Sequence, residues 1–259
     1  MNHLPRIAIP DVKKSWARWQ FVSQGAMPAE HLFYIHLALE AGCRWIQLRL
    51  KEVDEPDIIR TGNAVAQLCR AYNARFILND YPHLVKMVHA QGVHLGLEDQ
   101  PVAAARQLLG RDYLIGGTAN TGGDVLARVA EEVDYIGLGP YRFTRTKKKL
   151  SPVLGLEGYR RILGEDKERR VVPCPVYAIG GIIPEDLPLL MGTAINGVAI
   201  SGWLTRLVDL TALQVSRRSL TLDNVIDQYH QWKIRYPDAV PHVSGQVKIL
   251  DALLHENSV

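Results

Sequence analysis

Seven places in this chain set a polar group or a glycine just after a strand-like run: Lys51, Asn79-Asp80, Asp99, Thr118, Lys147 (in the loop that follows), Gly181 and Ser201. The richest approach to one of them is Gln47-Leu48-Arg49-Leu50-Lys51. Side chains alternate along a strand, so Gln47, Arg49 and Lys51 share one face and Ile46, Leu48 and Leu50 the other. A half-exposed surface strand could carry the same pattern. This segment, however, lies between two helical patterns, in a β-α-β series whose strands are covered on both faces. Three long polar groups on one face must then share a cavity with water or a ligand. One amide and two cations suit an anion with several oxygens, a phosphate or diphosphate. Asp80 and Asp99 follow different strands, and two carboxylates at one mouth suit a hard cation such as Mg2+. Taken singly, each also reads as a helix cap, ahead of Pro82 and Pro101 respectively.

The segment Tyr141 to Lys149 carries five cations in nine residues. A basic run is commonly a solvated face. Here Thr144 and Thr146 alternate with Arg145 and Lys147 just after a strand, which suits a loop over a phosphorylated ligand. Lys147 is the expected functional cation, with Lys148 and Lys149 facing solvent. Gly180-Gly181 and Ile200-Ser201 follow the last two strands. Backbone N–H groups there, with a helix N-terminus, can hold a second phosphate. His94 sits between glycines and reads as a packed, hydrogen-bonded histidine. The chain has no Ser-His-Asp order, no HExxH, and no P-loop or GxGxxG after a strand.

These residues need elements to carry them. Strands are predicted over Arg18–Ser23, Trp45–Lys51, Arg75–Leu78, Gly92–Gly96, Tyr113–Gly117, Asp134–Gly139, Val176–Ile179 and Asn196–Ile200. Helical patterns separate them: Pro28–Ala41, Asp54–Tyr72, a short piece up to Ala90, Pro101–Leu109, Gly122–Glu132, Gly155–Leu163 and Pro184–Met191. Eight such units predict an α/β fold, a (β/α)8 TIM barrel, with an open doubly wound sheet as the competitor. All the polar positions above then fall on the C-terminal face of the barrel. Residues 1–17 read as an N-terminal arm outside the core, 18–210 as the barrel, and 211–259 as a helical C-terminal extension. In the extension, apolar residues recur at helical spacing over Leu222–Tyr236 and Val247–His255. These helices either pack on the barrel or form a homodimer contact.

Composition narrows the class. The chain has 259 residues, 47% of them hydrophobic, and a net charge of +3. Such a balance needs no nucleic acid and fits small anionic substrates. No run is long enough to span a bilayer, and no basic-then-apolar signal opens the chain. Cys43, Cys69 and Cys174 form no CxxC pattern, so zinc and a disulfide framework are not expected. Free thiols in a reducing cytoplasm are.

The chain is similar to the thiamine phosphate synthase family. The resemblance lies in QLRLK (47–51), ND (79–80), GVHLGLED (92–99), GGTANT (116–121), DYIGLGPYRFTRTKKK (134–149), LGLEG (154–158), AIGGI (178–182) and GVAIS (197–201). It covers roughly Arg18 to Leu204. It implies a Mg2+-dependent transferase that joins hydroxymethylpyrimidine diphosphate to hydroxyethylthiazole phosphate, giving thiamine phosphate and diphosphate. By the same resemblance, Gln47 to Lys51 (Leu48 and Leu50 included), Asn79 and Lys147 would hold the pyrimidine diphosphate. Arg49, Lys51 and Lys147 would be the catalytic cations. Asp80 and Asp99 would bind Mg2+, and Thr118 would lie by the pyrimidine. Thr144, Arg145, Thr146, Gly181, Ile200 and Ser201 would hold the thiazole phosphate. The family's reaction passes through a pyrimidine carbocation, which needs no side-chain nucleophile. Two departures stand out: Thr118 where the family often has Ser, and Asn120 where many members have His. Two alternatives share the barrel, a thiazole tautomerase-like isomerase and a non-catalytic paralogue that binds thiazole phosphate. The intact set Gln47, Arg49, Lys51, Asp80, Asp99 and Lys147 speaks against both.

Overall fold

The computed structural model describes residues 16–143, 152–164, 172–208 and 221–256. Eight parallel strands close into a barrel in sequence order. They are β1 (Trp19–Val22), β2 (Trp45–Leu48), β3 (Arg75–Asn79), β4 (Gly92–Leu95), β5 (Leu114–Ala119), β6 (Tyr135–Leu138), β7 (Val176–Ile179) and β8 (Gly197–Ile200). Between them run α1 (Pro28–Glu40), α2 (Glu55–Ala71), α3 (Val102–Leu109), α4 (Gly122–Ala130), α5 (Gly155–Leu163) and α6 (Leu187–Leu190). After β8 come α7 (Gly202–Arg206), α8 (Val225–Arg235) and α9 (Ala239–Glu256).

Local chemistry accounts for the element boundaries. Asp54 caps α2 by accepting from the Asp57 N–H, and Pro56 sits in the first turn. Thr121 and Asp124 form a capping box on α4. Gly42 takes a φ of 114°, which lets the chain turn out of α1 into β2. β2 is shorter than its apolar pattern predicts. The Arg49 N–H leaves the strand ladder and donates to Ser23 Oγ at 3.0 Å, so the strand ends at Leu48. After β3 the expected short helix up to Ala90 is only a 3-10 turn over Pro82–Leu84. His89, with a φ of 55°, lies outside any helix.

Alternation sorts the strand residues into two cores. Ile46, Leu48 and their counterparts pack outward under the helices. Inside the barrel, Trp45, Ile77, Leu114, Tyr135 and Tyr177 form a separate apolar layer near the N-terminal ends of the strands. Trp16 closes that layer, 5.4 Å from Trp45 and 5.7 Å from Tyr135 between ring centroids. The Arg75 guanidinium stacks 4.8 Å from the Trp16 ring. This corrects the expectation that residues up to Ala17 take no part in a core: an aromatic side chain is the natural cover for an aromatic floor.

The C-terminal helices share the barrel's outer core. Val225, Tyr229 and Trp232 of α8 and Val243, Val247, Leu250 and Leu254 of α9 are buried in it. Tyr229 donates to Glu40 of α1 at 2.6 Å, and Phe33 meets Trp232 edge-on at 5.2 Å. No helix among the described residues is long and apolar enough to cross a membrane.

Candidate active site

The C-terminal mouth of the barrel collects several of the residues singled out above. Arg49 follows β2, is half-buried, and has Asp80 and Asp99 as its charged neighbours. Burial lowers its pKa, and the two carboxylates pull it back up. Lys51, exposed on the rim, is ion-paired with Asp80 across the β2–β3 gap. Asp80 follows β3 at a φ of 74°, a left-handed conformation that Asp tolerates better than most non-glycine residues. Asp99 is held by its own loop, accepting from the Gly96 N–H at 2.5 Å.

Burial, then the adjoining Asp99 carboxyl, push Asp80 up to about 6 against the pull of Lys51. Two carboxylates this close repel unless a proton or a cation comes between them. No group of three or more metal-ligating side chains occurs among the described residues. The donor set therefore fits a hard cation that takes two protein carboxylates and draws its remaining oxygens from water and a ligand's phosphates.

Below the rim the barrel interior is polar. Gln47 is only 2% exposed and faces the Tyr135 hydroxyl. Thus Gln47 does not stand at the mouth beside Arg49 and Lys51 but one layer beneath them. Asn79 is buried at the end of β3. Thr118 is buried at the end of β5, its Oγ1 3.0 Å from His94 Nε2. His94 is thus the packed, hydrogen-bonded residue its context predicts. Asn120 donates from Nδ2 to the carbonyls of Ala119 and Gly139, tying the end of β5 to the end of β6.

On the opposite rim, Gly180 and Gly181 take φ values of 98° and 72°. Arg142 clamps this turn: it donates to the Gly181 carbonyl at 3.0 Å and makes a two-pronged pair with Asp186 at 2.9 and 2.6 Å. Ile200 ends β8, and the Ser201 hydroxyl donates to Gln24 Oε1 at 3.2 Å. The helices after β7 and β8, α6 and α7, have only four and five residues. They bring much less of a helix dipole than the expected helix N-terminus. Thr144, Arg145, Thr146 and Lys147 lie outside the described residues.

Several residues that hold the site together escaped the sequence reading. Ser23 accepts from the Arg49 N–H and lies 2.8 Å from His31 Nδ1. Arg142 and Asp186 anchor the Gly181 turn. Ser23 and Gln24 do follow a strand, the same signal that marked Lys51 and Asp80. Nothing local marks Asp186, whose partner is 44 residues away.

A family model described as thiamine monophosphate synthase matches residues 20–204. The thiamine-phosphate synthase of Phocaeicola vulgatus is 48% identical over 193 residues, 74% of this chain and 92% of that protein. That of Flavobacterium psychrophilum is 49% identical over 187 residues, 72% and 90% of the two chains. Among solved structures, a thiamine phosphate pyrophosphorylase from Pyrococcus furiosus aligns with a TM-score of 0.67 at 23% identity, covering 93% of this chain and 97% of its own. That structural likeness concerns the fold alone.

Proposed function

The chain belongs to the thiamine monophosphate synthase family, and from that premise we propose how its residues carry out the family's reaction. The enzyme condenses hydroxymethylpyrimidine diphosphate with hydroxyethylthiazole phosphate, releasing diphosphate and forming thiamine phosphate. The C–O bond between the pyrimidine's methylene carbon and the diphosphate breaks, and its electron pair leaves with the diphosphate. The thiazole nitrogen then gives its lone pair to that carbon.

Arg49, Lys51 and Lys147 hold the diphosphate and stabilise the negative charge that grows on it. Arg49, half-buried at the end of β2, does this without reorganising during the step. Gln47 and Asn79, in the polar layer below, orient the pyrimidine end, and Thr118 lies beside it. Leu48 and Leu50 give the stretch its apolar anchor. Asp80 and Asp99 are the residues that would hold Mg2+, which would neutralise the leaving diphosphate as a Lewis acid. Gly181, Ile200 and Ser201, with Thr144, Arg145 and Thr146, hold the thiazole phosphate. Because the Ser201 proton is engaged by Gln24, backbone N–H groups make the main contact with that phosphate.

The observation that carries this reading is the meeting of Arg49, Lys51, Asp80 and Asp99 on one side of the mouth. A tautomerase has no use for a cation set with paired carboxylates, and Asn120 offers no titrating group. The test is a coupled assay with both substrates and Mg2+, with mass detection of thiamine phosphate. Formation of product that stops with EDTA supports the whole reading. Isomerisation of the thiazole without thiamine phosphate would overturn it.

A further inference from the structure

Between the aromatic floor and the mouth stands a buried column of three side chains. Tyr135 of β6 places its hydroxyl 3.1 Å from His94 Nδ1, and His94 Nε2 lies 3.0 Å from Thr118 Oγ1. Tyr135 and His94 are 1% and 6% exposed. The barrel yields room for both rings. A Cβ added at Gly116 would overlap the Tyr135 ring, and one at Gly137 would stand 3.1 Å from His94 Cε1. Two interior positions thus carry no side chain where these rings pass.

We propose that Tyr135 and His94 are positioning residues that fix the direction of the Thr118 hydroxyl. The direction follows from counting donors. The Gln20 and Gln47 carboxamides both hydrogen-bond the Tyr135 oxygen in the sense that favours its charge, as donors do, so the phenolic proton is given to His94 Nδ1. A neutral imidazole has one N–H, and it must then be on Nε2. That N–H donates to Thr118 Oγ1. The Thr118 proton is left free to point up into the mouth, where it donates to a lone pair on the pyrimidine diphosphate. With the other tautomer Thr118 would donate to the histidine and offer the ligand only lone pairs. An acceptor-rich substrate would then meet the wrong polarity. Gln20 and Gln47 enter the same column from the floor side, so the role of Gln47 includes helping to set the tautomer as well as touching substrate. This inference rests on the proposed placement of Thr118 beside the pyrimidine.

Two measurements test it. The first needs no activity: 15N-edited NMR of the imidazole nitrogens, with the His94 signals identified by their loss in His94→Gln. An Nε2–H tautomer is expected, and an Nδ1–H tautomer or a doubly protonated ring would overturn the proposal. The second compares Tyr135→Phe, Thr118→Val and the double variant. Tyr135→Phe should lower kcat/KM for the pyrimidine diphosphate about tenfold and leave KM for the thiazole phosphate unchanged. The double variant should be no worse than Thr118→Val alone. Independent, multiplying losses would overturn it. A protein with the Nε2–H tautomer and no synthase activity would refute the proposed function but not the column.

Discussion

Asp80 and Asp99 each look like a helix cap in the sequence, and the geometry separates the two meanings. Asp99 does hold its own loop through Gly96, yet it also adjoins Asp80. Asp80 instead spends its side chain on Lys51, two strands' ends brought together by closure of the barrel. Replacing either carboxylate by Ala should therefore lower turnover on the order of a hundredfold or more, about 2.7 kcal/mol in the barrier. The check is kcat against Mg2+ concentration, and full activity in EDTA would discard the metal. Asn120 belongs to a different class. Its amide ties the end of β5 to the Gly139 carbonyl, so it positions and cannot take up a proton. Asn120→Ala should reduce synthase turnover only several-fold, measured beside the tautomerase reaction, in which no appreciable rate is expected. A total loss would mean that the amide itself meets substrate. At this scale the sequence marked Arg49, Lys51, Asp80 and Asp99, which the barrel brings together. It could not show that Gln47 lies deeper against Tyr135, because that contact depends on the relative register of β2 and β6.

The elements were legible where apolar runs and breakers coincide: Asp54 with Pro56, Thr121 with Asp124, and Gly42 all mark boundaries that the structure uses. The end of β2 was not legible. It is set by a hydroxyl from the neighbouring strand's loop, and no pattern within 45–51 encodes Ser23. The strand glycines behave similarly, since their reason lies across the barrel. Gly197 of β8 has the Arg18 carbonyl where its Cβ would be, while Gly245 in α9 has no atom near that position. Opposite outcomes follow from the same substitution. Gly197→Ala should cost about 3 kcal/mol through overpacking against rigid backbone. Gly245→Ala should stabilise by about 0.5–1 kcal/mol, since it only removes freedom from the unfolded chain. Urea unfolding of the two variants decides, and equal effects would refute the spatial account of Gly197.

Over the whole molecule, the barrel could be counted from the sequence because each β-α unit is local. The seating of the C-terminal helices could not, because an amphipathic face names no partner. α8 packs on α1, and α9 on α6 and α1, and a titratable group is buried where α8 meets α1. His36 of α1 stacks on Tyr229 of α8 with ring centroids 4.0 Å apart, and the hydroxyl of Tyr72, just past α2, lies 3.3 Å from its Nε2. Glu40, His230 and Lys233 are the charged and titratable groups that also face it. Burial outweighs Glu40 and holds the His36 pKa down at about 4. His31, beneath Arg49, is likewise depressed to about 4, by burial first. Both are ordinary at 6.5 once unfolded. Between pH 6.5 and 4 the unfolded chain binds protons that the native chain refuses, so stability must fall as the pH falls through that window. Each histidine can contribute at most about 3 kcal/mol to the fall. Asp80 acts in the opposite sense: its pKa is raised to about 6, so its contribution is present at low pH and lost as the pH rises through 6. Wild type alone would therefore mix the two slopes. A comparison of wild type with His36→Gln isolates the interface between barrel and C-terminal helices. From pH 7 to pH 4.5, the wild type should lose about 2–3 kcal/mol more than the variant in urea unfolding. Parallel curves would mean that His36 accepts its proton in place, without loosening α8 from α1.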